Sequence, residues 1–526
     1  MTMRIAGLFL TALGALAATG EMRGLALPTA RWFFEISRDV PWLNVHLANE
    51  RIFPWFGWLS TALLIACGLL LVLCSWLGGP RNPVTEQRIR RFRAIKRGYF
   101  SLVILLFLGG LAALDQVVVG KRALAVKYEG EWSFPAFQPG TVKNADYGMR
   151  GESAEAPADF RELKRRLEAD GSGRVILPLI PYDPTGDTLP ARSRALEQRD
   201  GLYYEDGDSQ PFSGMAATYH NVEKSLIHLR YSMRHGLRSG PVDGYDPDGS
   251  AVYSGDYKYG SLVRDRYSGG GAKAKFLAFT GSELRAVKYH PAPPLPEAGN
   301  WLGTTSQGYD VLAYLYGGMQ VNFKAALIYL PIIYLIGISV GMMMGFFGGW
   351  FDLIVQRLIE VLSNMPFLFV VIIFSSVVPE RYKGLPVILT ILIAFGWMGM
   401  TFLMRSAAYR DRERDYIAAA RVLGAGTPRI LFLHLLPNTV AILVTLVPFT
   451  LSGLIFALTS LDYLGFGLPP EYATWGRLLN DGLANLSAPW LVTSTFIVLV
   501  GMLVLITFVG EAVREAVDPK KFTYYR

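Results

Sequence analysis

Charge is scarce in this chain of 526 residues: Asp, Glu, Lys and Arg make up 18% of it, while 51% is apolar and mean hydropathy is +0.29. Soluble domains carry about a quarter charged residues. The balance excludes a disordered chain and argues against an ordinary soluble enzyme. Cysteine is nearly absent. Cys67 and Cys74 stand seven apart in one apolar run and read as two small buried side chains ahead of a metal pair, so they name no compartment. The six histidines show no clustered metal spacing. No G-x-x-x-x-G-K-[S/T] loop, H-E-x-x-H helix or G-x-S-x-G elbow occurs. The chain therefore has no phosphate cradle of its own, no enzymatic activity is supported, and no cofactor or metal is expected on it. Any uphill transport would draw its energy from a partner.

What is present in quantity is apolar sequence in long runs. A hydrocarbon core about 30 Å thick takes about 20 helical residues to cross. Such runs lie at about 57–79, 99–119, 325–347, 354–378, 386–404, 439–461 and 490–512. A shorter one, 5–18, follows Arg4 and contains Ala15-Leu16-Ala17, which leaves two readings open, a retained span and a cleaved signal.

Net charge is +8, and its placement sets orientation. The segment 80–98 carries Arg81, Arg88, Arg90, Arg91, Arg93, Lys96 and Arg97 against Glu86 alone. Short loops rich in Lys and Arg stay in the cytoplasm. Alternation from there also places 405–438, with Arg405, Arg410, Arg412, Arg414, Arg421 and Arg429, inside, together with Lys520, Lys521 and Arg526. The basic residues are thus accounted for by topology, and no nucleic-acid partner is expected.

The polar interval from 120 to 323 then falls outside and is long enough to be a domain. It is rich in turn formers, as in Tyr203-Tyr204-Glu205-Asp206-Gly207-Asp208 and Asp243-Gly244-Tyr245-Asp246-Pro247-Asp248-Gly249. Asp243, Asp246 and Asp248 have calcium-loop character, but Tyr257 stands where a closing Glu would be, so turns are the better reading. Residues 160–168 read as helix, and 174–180 and 225–231 as strands or helices.

Within the spans, Gly337, Gly341, Gly345 and Gly349 recur every fourth residue, a ridge of small residues suited to close helix packing. Pro331, Pro366 and Pro448 predict local bends. Few charges interrupt the apolar runs. Arg357 and Glu360 are spaced to pair, Asp115 lies near an outer end, and this scarcity argues against an ion-coupled secondary transporter.

The stretch from Asp415 to Asn438 reads as two short helices. Asp415 is placed to cap the first, Gly424 to end it in the left-handed conformation, Thr427 to cap the second, Pro428 to fit its first turn and Pro437 to limit it. Tyr416, Ala419, Ala420 and Leu423 then share one face. A face of small apolar residues on a cytoplasmic loop suits a groove in another protein.

These residues carry a resemblance. The loop, with Ala419, Ala420, Gly424 and Pro437 in place, resembles the one by which permease subunits of bacterial ABC importers dock their ATPase. Further pieces in order are Tyr128-Glu129-Gly130-Glu131-Trp132, Trp301-Leu302-Gly303-Thr304, Gly308-Tyr309-Asp310-Val311-Leu312, Gly348-Gly349-Trp350-Phe351-Asp352, Leu458 to Pro469, and Gly510-Glu511-Ala512-Val513-Arg514 with Asp518-Pro519. They are similar to dipeptide/oligopeptide permeases, and within these to the second permease of Yej-type peptide and microcin C importers. Ala418 stands where the family often has Glu, and Thr305 and Tyr309 where it has Asp and Arg.

The resemblance implies an all-α transmembrane bundle of the type I importer kind, with six core spans, one or two added N-terminal spans and a large mixed periplasmic insertion. The expected division is 1–98 for the N-terminal extension, 99–119 for the first core span, 120–323 for the insertion, and 324–526 for the core with its coupling loop at 405–438. It implies an inner-membrane subunit moving oligopeptides or peptide-like compounds. The partners would be a second permease, ATPase subunits that hold ATP and magnesium, a periplasmic binding protein and membrane lipid. The residues expected at the ATPase are Asp415, Tyr416, Ala418, Ala419, Ala420, Arg421, Gly424, His434, Leu436 and Pro437. The rival readings are a membrane-anchored periplasmic sensor or assembly protein, and an importer half for an oligosaccharide or siderophore.

Overall fold

The computed structural model describes residues 2–22, 25, 61–62, 65–73, 83–114 and, with short gaps, 117–517. Most of the 57–79 run, Cys74, Asp115, Asp248 and the basic tail at 520–526 lie outside the described residues. The chain forms two compact units, one of Met1–Asp187, Leu295–Leu302 and Tyr309–Arg526, the other of Thr188–Pro294 and Gly303–Gly308.

The first unit is mainly helical. Helix α1 (Thr2–Met22) covers the short N-terminal run, and residues 65–73 are helical too. Helix α2 (Pro83–Ala94) carries the arginine cluster and leads into α3 (Lys96–Ala113), the first core span. The other spans are α6 (Val311–Phe347), α9 (Leu385–Asp411), α12 (Leu436–Tyr463) and α14 (Pro489–Val517). A further pair, α7 (Gly349–Ser363) and α8 (Phe367–Val377), covers the apolar run at 354–378 and is bent by 76° at Asn364, Met365 and Pro366, where Pro366 predicts a bend. The missing N–H of Pro366 and the extended backbone it imposes end the helix there. With the bent pair as one span, the described residues hold six apolar crossings. Pro331 and Pro448, by contrast, lie inside unbroken helices.

Helix α6 is 37 residues, about 55 Å at 1.5 Å per residue, so it outruns the hydrocarbon by many residues. Its first turns are not apolar enough to read as a span, yet they are buried by protein. Trp475 on α13 (Trp475–Ala484) packs against Gly318 and donates from Nε1 to the Leu315 carbonyl at 2.9 Å. Tyr316 Oη and Gln320 Nε2 donate to the Leu111 and Ala112 carbonyls of α3 at 2.6 and 3.0 Å.

The interval expected as one outer domain is divided between the units. Residues up to Asp187 stay with the helices: strands β1 (Ala125–Tyr128), β2 (Glu131–Ser133) and β3 (Gly173–Ile176) form a sheet in the order β2-β1-β3, covered by α4 (Phe160–Asp170). Val126, Tyr147, Phe160, Leu163, Leu167 and Val175 make its core.

The second unit is an antiparallel sheet of β4 (Ser193–Arg199), β5 (Leu202–Glu205), β6 (Gly214–Tyr219), β7 (Ile227–Arg234), β8 (Leu237–Tyr245), β9 (Ala251–Lys258), β10 (Ser261–Tyr267) and β11 (Arg285–Val287), in the order β10-β9-β8-β7-β6-β11-β4-β5. Its two-residue hairpin turns pair a positive-φ residue with glycine: Asp200-Gly201, His235-Gly236 and Tyr259-Gly260. That geometry follows the right-handed twist of the strands. Leu229, Tyr231, Met233, Val242 and Tyr253 are buried on one face beneath Phe276 of the short α5 (Lys273–Leu277). Asp243, for which a turn is the better reading of the sequence, lies instead in β8 and accepts from Arg230 Nη2 at 2.6 Å.

Candidate functional site

The segment that follows α9 is a hairpin. Helix α10 (Asp415–Val422) begins after Arg414, and Asp415 lies in its first turn instead of capping it, where its charge still favours the helix N-terminus. The helix ends as the glycine predicts. Gly424 has φ of 80°, its N–H donates to Arg421 O at 2.9 Å, and the Ala425 N–H donates to Ala420 O at 2.9 Å. This paired arrangement is the Schellman ending, which leaves few carbonyls of the last turn unpaired.

The second arm differs from the expected short helix. Gly426 takes the cap position expected of Thr427 before α11 (Thr427–Arg429), Pro428 fits the first turn, and the chain passes through a π-helical stretch, Ile430–Leu435, directly into α12. Pro437 therefore does not limit a helix but occupies the first turn of a long one. The wider π-turn shifts the hydrogen-bond register where proline has no N–H to give.

The hairpin has two faces. Ile417, Ala420 and Ile430 are buried together with the flanking Phe346 and Ala425, and the Arg421 guanidinium lies 5.0 Å over the Phe346 ring. The other face is open. Val422 is 89% exposed and Leu423 86%, and Tyr416, Ala418 and Ala419 are exposed beside them. Ala420, expected on the open face, lies on the buried one, because successive helical residues are offset by about 100° and Ile417 draws its own side inward. Phe432 and Leu433 are also exposed, His434 and Leu436 are half-buried, and Pro437 is exposed.

The root of the hairpin is tied to α6 and α7. A Cβ added at Gly337 would come within 2.7 Å of Met400 Cβ, and at Gly341 within 2.8 Å of Met404 Cβ. Gly345 meets Ala408 in the same way, at 2.6 Å, so these three glycines form the seam between α6 and α9. Gly349 does not join them. It opens α7 with φ of 56°, and a Cβ there would meet nothing within 4 Å.

Asp352, in the first turn of α7 and 4% exposed, accepts from Arg405 Nε at 2.5 Å and Nη2 at 2.6 Å, and from Tyr409 Oη at 2.6 Å. The Arg412 guanidinium stacks 4.7 Å from the Tyr409 ring and donates to Gly345 O at 3.2 Å. Nothing in the sequence marks Asp352, Arg405, Tyr409 and Arg412 as a group, since their partnership spans more than fifty positions. Lys324, one residue ahead of its apolar run, is 3% exposed inside α6. Arg357 and Glu360 pair at 2.5 Å as their spacing predicts.

At the opposite end of α12, the stretch quoted for the resemblance closes on itself. Asp462 accepts from Leu468 N at 2.7 Å, and Arg477 donates to the carbonyls of Leu468, Pro469 and Tyr472. Gly476 fits against the Thr459 backbone. Asp310 caps α6 through Ala313 N at 2.8 Å, and Tyr309 stacks on Tyr314 at 6.2 Å between centroids.

The six apolar crossings among the described residues, with a two-faced hairpin between the fourth and fifth, match known proteins. Residues 337–523 fit the family described as binding-protein-dependent transport system inner membrane component. This chain belongs to the permease proteins of ABC transporters and is a multi-pass protein of the inner membrane. Within that class it belongs with the YejE permeases. It is 43% identical over 440 residues to the peptidoglycan transport system permease protein YejE of Agrobacterium fabrum, covering 84% of this chain and 94% of the relative. It is 30% identical over 442 residues to the inner membrane ABC transporter permease protein YejE of Escherichia coli, covering 84% and 98%. The dipeptide transport system permease protein DppC of Bacillus subtilis is 33% identical over 228 residues, 43% of this chain and 70% of the relative. The reading as an anchored periplasmic sensor gives way to this membership.

Proposed function

We propose that this subunit forms one half of the membrane pathway of an importer for peptides or peptide-like compounds, driven by ATPase subunits that grip the 415–438 hairpin. Relatives named for dipeptide, oligopeptide and peptidoglycan transport support the solute class. A second permease supplies the other half, a periplasmic binding protein delivers solute, and ATP with magnesium belongs to the ATPase subunits. The spans then alternate between inward and outward states because each state makes different contacts with those partners.

The observation that carries the reading is the hairpin's asymmetry. Ile417, Ala420 and Ile430 root it in the bundle, while Val422 and Leu423 stand out from it almost wholly exposed. Burying two such side chains in a partner groove is worth about 1.5–3 kcal/mol each. Docking by shape also suits a loop with Ala418 where the family often has Glu. His434, Leu436 and Pro437 would line the rim of the contact, beside Asp415, Tyr416, Ala419, Arg421 and Gly424.

The test is Val422→Asp with Leu423→Asp in the assembled complex. Both side chains are exposed, so the permease should remain folded with an unchanged melting profile. The ATPase subunits should be lost from the purified complex. Their full retention by the double variant would overturn the docking assignment.

A further inference from the structure

We infer that Asp352 is a positioning residue for transport: its grip on Arg405 and Tyr409 makes α7 follow the hairpin. This rests on the docking reading above and adds to it a route from the hairpin into the bent α7–α8 pair.

Gly348 and Gly349 connect α6 to α7 with φ of 62° and 56°, and a Cβ at Gly349 would meet nothing within 4 Å. Two adjacent glycines at positive φ, the second with open space around it, form a joint that offers no side chain of its own to resist rotation. Something else must hold the start of α7 in place. Asp352 does so one turn later, with both carboxylate oxygens on the fork of Arg405 and a third bond from Tyr409. Paired bonds of this kind fix direction as well as distance.

The partners sit on the last turns of α9, which run directly into the hairpin through Asp411, Arg412, Glu413 and Arg414. Arg412 continues the chain of contacts by stacking on Tyr409 and bonding Gly345 O. Displacement of the hairpin must move the end of α9, and the end of α9 holds α7 through a carboxylate that is 4% exposed. Side chains in a buried ion pair at one end of a bendable joint form a latch. Ile359 packs further along α7 against Met344 and Met398, so α7 has a second point of support about which to pivot.

Removing one member alone would leave a buried charge unpaired and could unfold the region. The informative variant is therefore the neutral pair, Asp352→Asn with Arg405→Gln. The full assembly with its ATPase subunits is placed in nanodiscs, with Cys67 and Cys74 replaced and spin labels at Leu358 of α7 and Arg429 of the hairpin. With the latch intact, the label distance should stay narrow in the nucleotide-free and ATP–vanadate states. In the neutral pair, the distribution should broaden at least twofold and shift between states, while the ATPase subunits still copurify. A narrow, unshifted distance in the neutral pair, with those subunits bound, would refute the latch and leave the docking reading standing. Loss of the subunits from the unmutated assembly would refute the docking reading itself. Asp352→Glu, which keeps the charge, should restore the narrow distance if the latch acts through the ion pair; failure to do so would also count against it.

Discussion

The two compact units solve the same problem, burying apolar surface, by opposite means. In the helical unit close helix packing is made by residues with almost no side chain: Gly337, Gly341 and Gly345 let α6 and α9 approach backbone to side chain. In the β unit the buried face is made of large rings, Tyr231 and Tyr253 under Phe276, with Leu229 and Met233 among them. The reason is the solvent. Lipid is as apolar as a leucine side chain, so helices in it gain by close van der Waals fit, whereas a sheet facing water gains by the area it removes from water. Polar groups follow the same division. The helical unit holds the buried Asp352 carboxylate with two nitrogens of Arg405, while the β unit surrounds the Arg238 guanidinium with the rings of Tyr203, Tyr231 and Tyr257 at 5.9, 4.4 and 5.8 Å.

This contrast can be broken by substitution. Gly341→Leu should have the largest effect, because its side chain would run into the Thr401 carbonyl and Met404. Overpacking that side chains can absorb commonly costs about 1–3 kcal/mol; here the backbone is the obstacle, so the cost should exceed that range and the one given next for Tyr231, and little folded permease should be recovered on size-exclusion chromatography. Wild-type yield and melting would mean that the seam is loose.

Tyr231→Ala should cost about 3–5 kcal/mol, as large-to-small changes at buried aromatic positions do. The loss should appear as a lower melting transition of the β unit, read by its proteolysis, with ATPase subunits still bound by the hairpin. Loss of the ATPase subunits together with the β unit would show that the two units do not melt apart.

The smallest effect concerns pH. Burial, with His220 at 4.7 Å, lowers the His228 pKa from 6.5 to about 4. The folded form thus binds fewer protons than the unfolded chain, so the contribution is complete above pH 6.5, declines as pH falls towards 4 and levels off below that. The β unit should therefore be easier to unfold at pH 5 than at pH 7, and His228→Gln should flatten that slope. An unchanged slope in the variant would assign the dependence to other groups.

How much of this was legible beforehand depends on distance along the chain. The spans at 386–404, 439–461 and 490–512 became helices that extend them by one to seven residues at each end, since long apolar runs admit little else in a bilayer. Gly424 was legible for the same local reason: a turn that needs positive φ selects glycine. The β unit was not, even though Asp200-Gly201, His235-Gly236 and Tyr259-Gly260 close its hairpins, because strand pairing depends on partners that a polar, turn-rich stretch does not reveal. The first turns of α6 escaped because protein, not lipid, covers them.

What the amino acids alone determined here is the core apolar crossings among the described residues, the break at Pro366 and the helix end at Gly424, all of them consequences of local solvation and backbone sterics. The tertiary structure decided which face of α10 is left open, that Pro437 opens a helix instead of closing one, and that Asp352 meets Arg405 across fifty-three positions. Those outcomes depend on which helices lie against each other, and packing in three dimensions is set by the whole bundle and by no single segment.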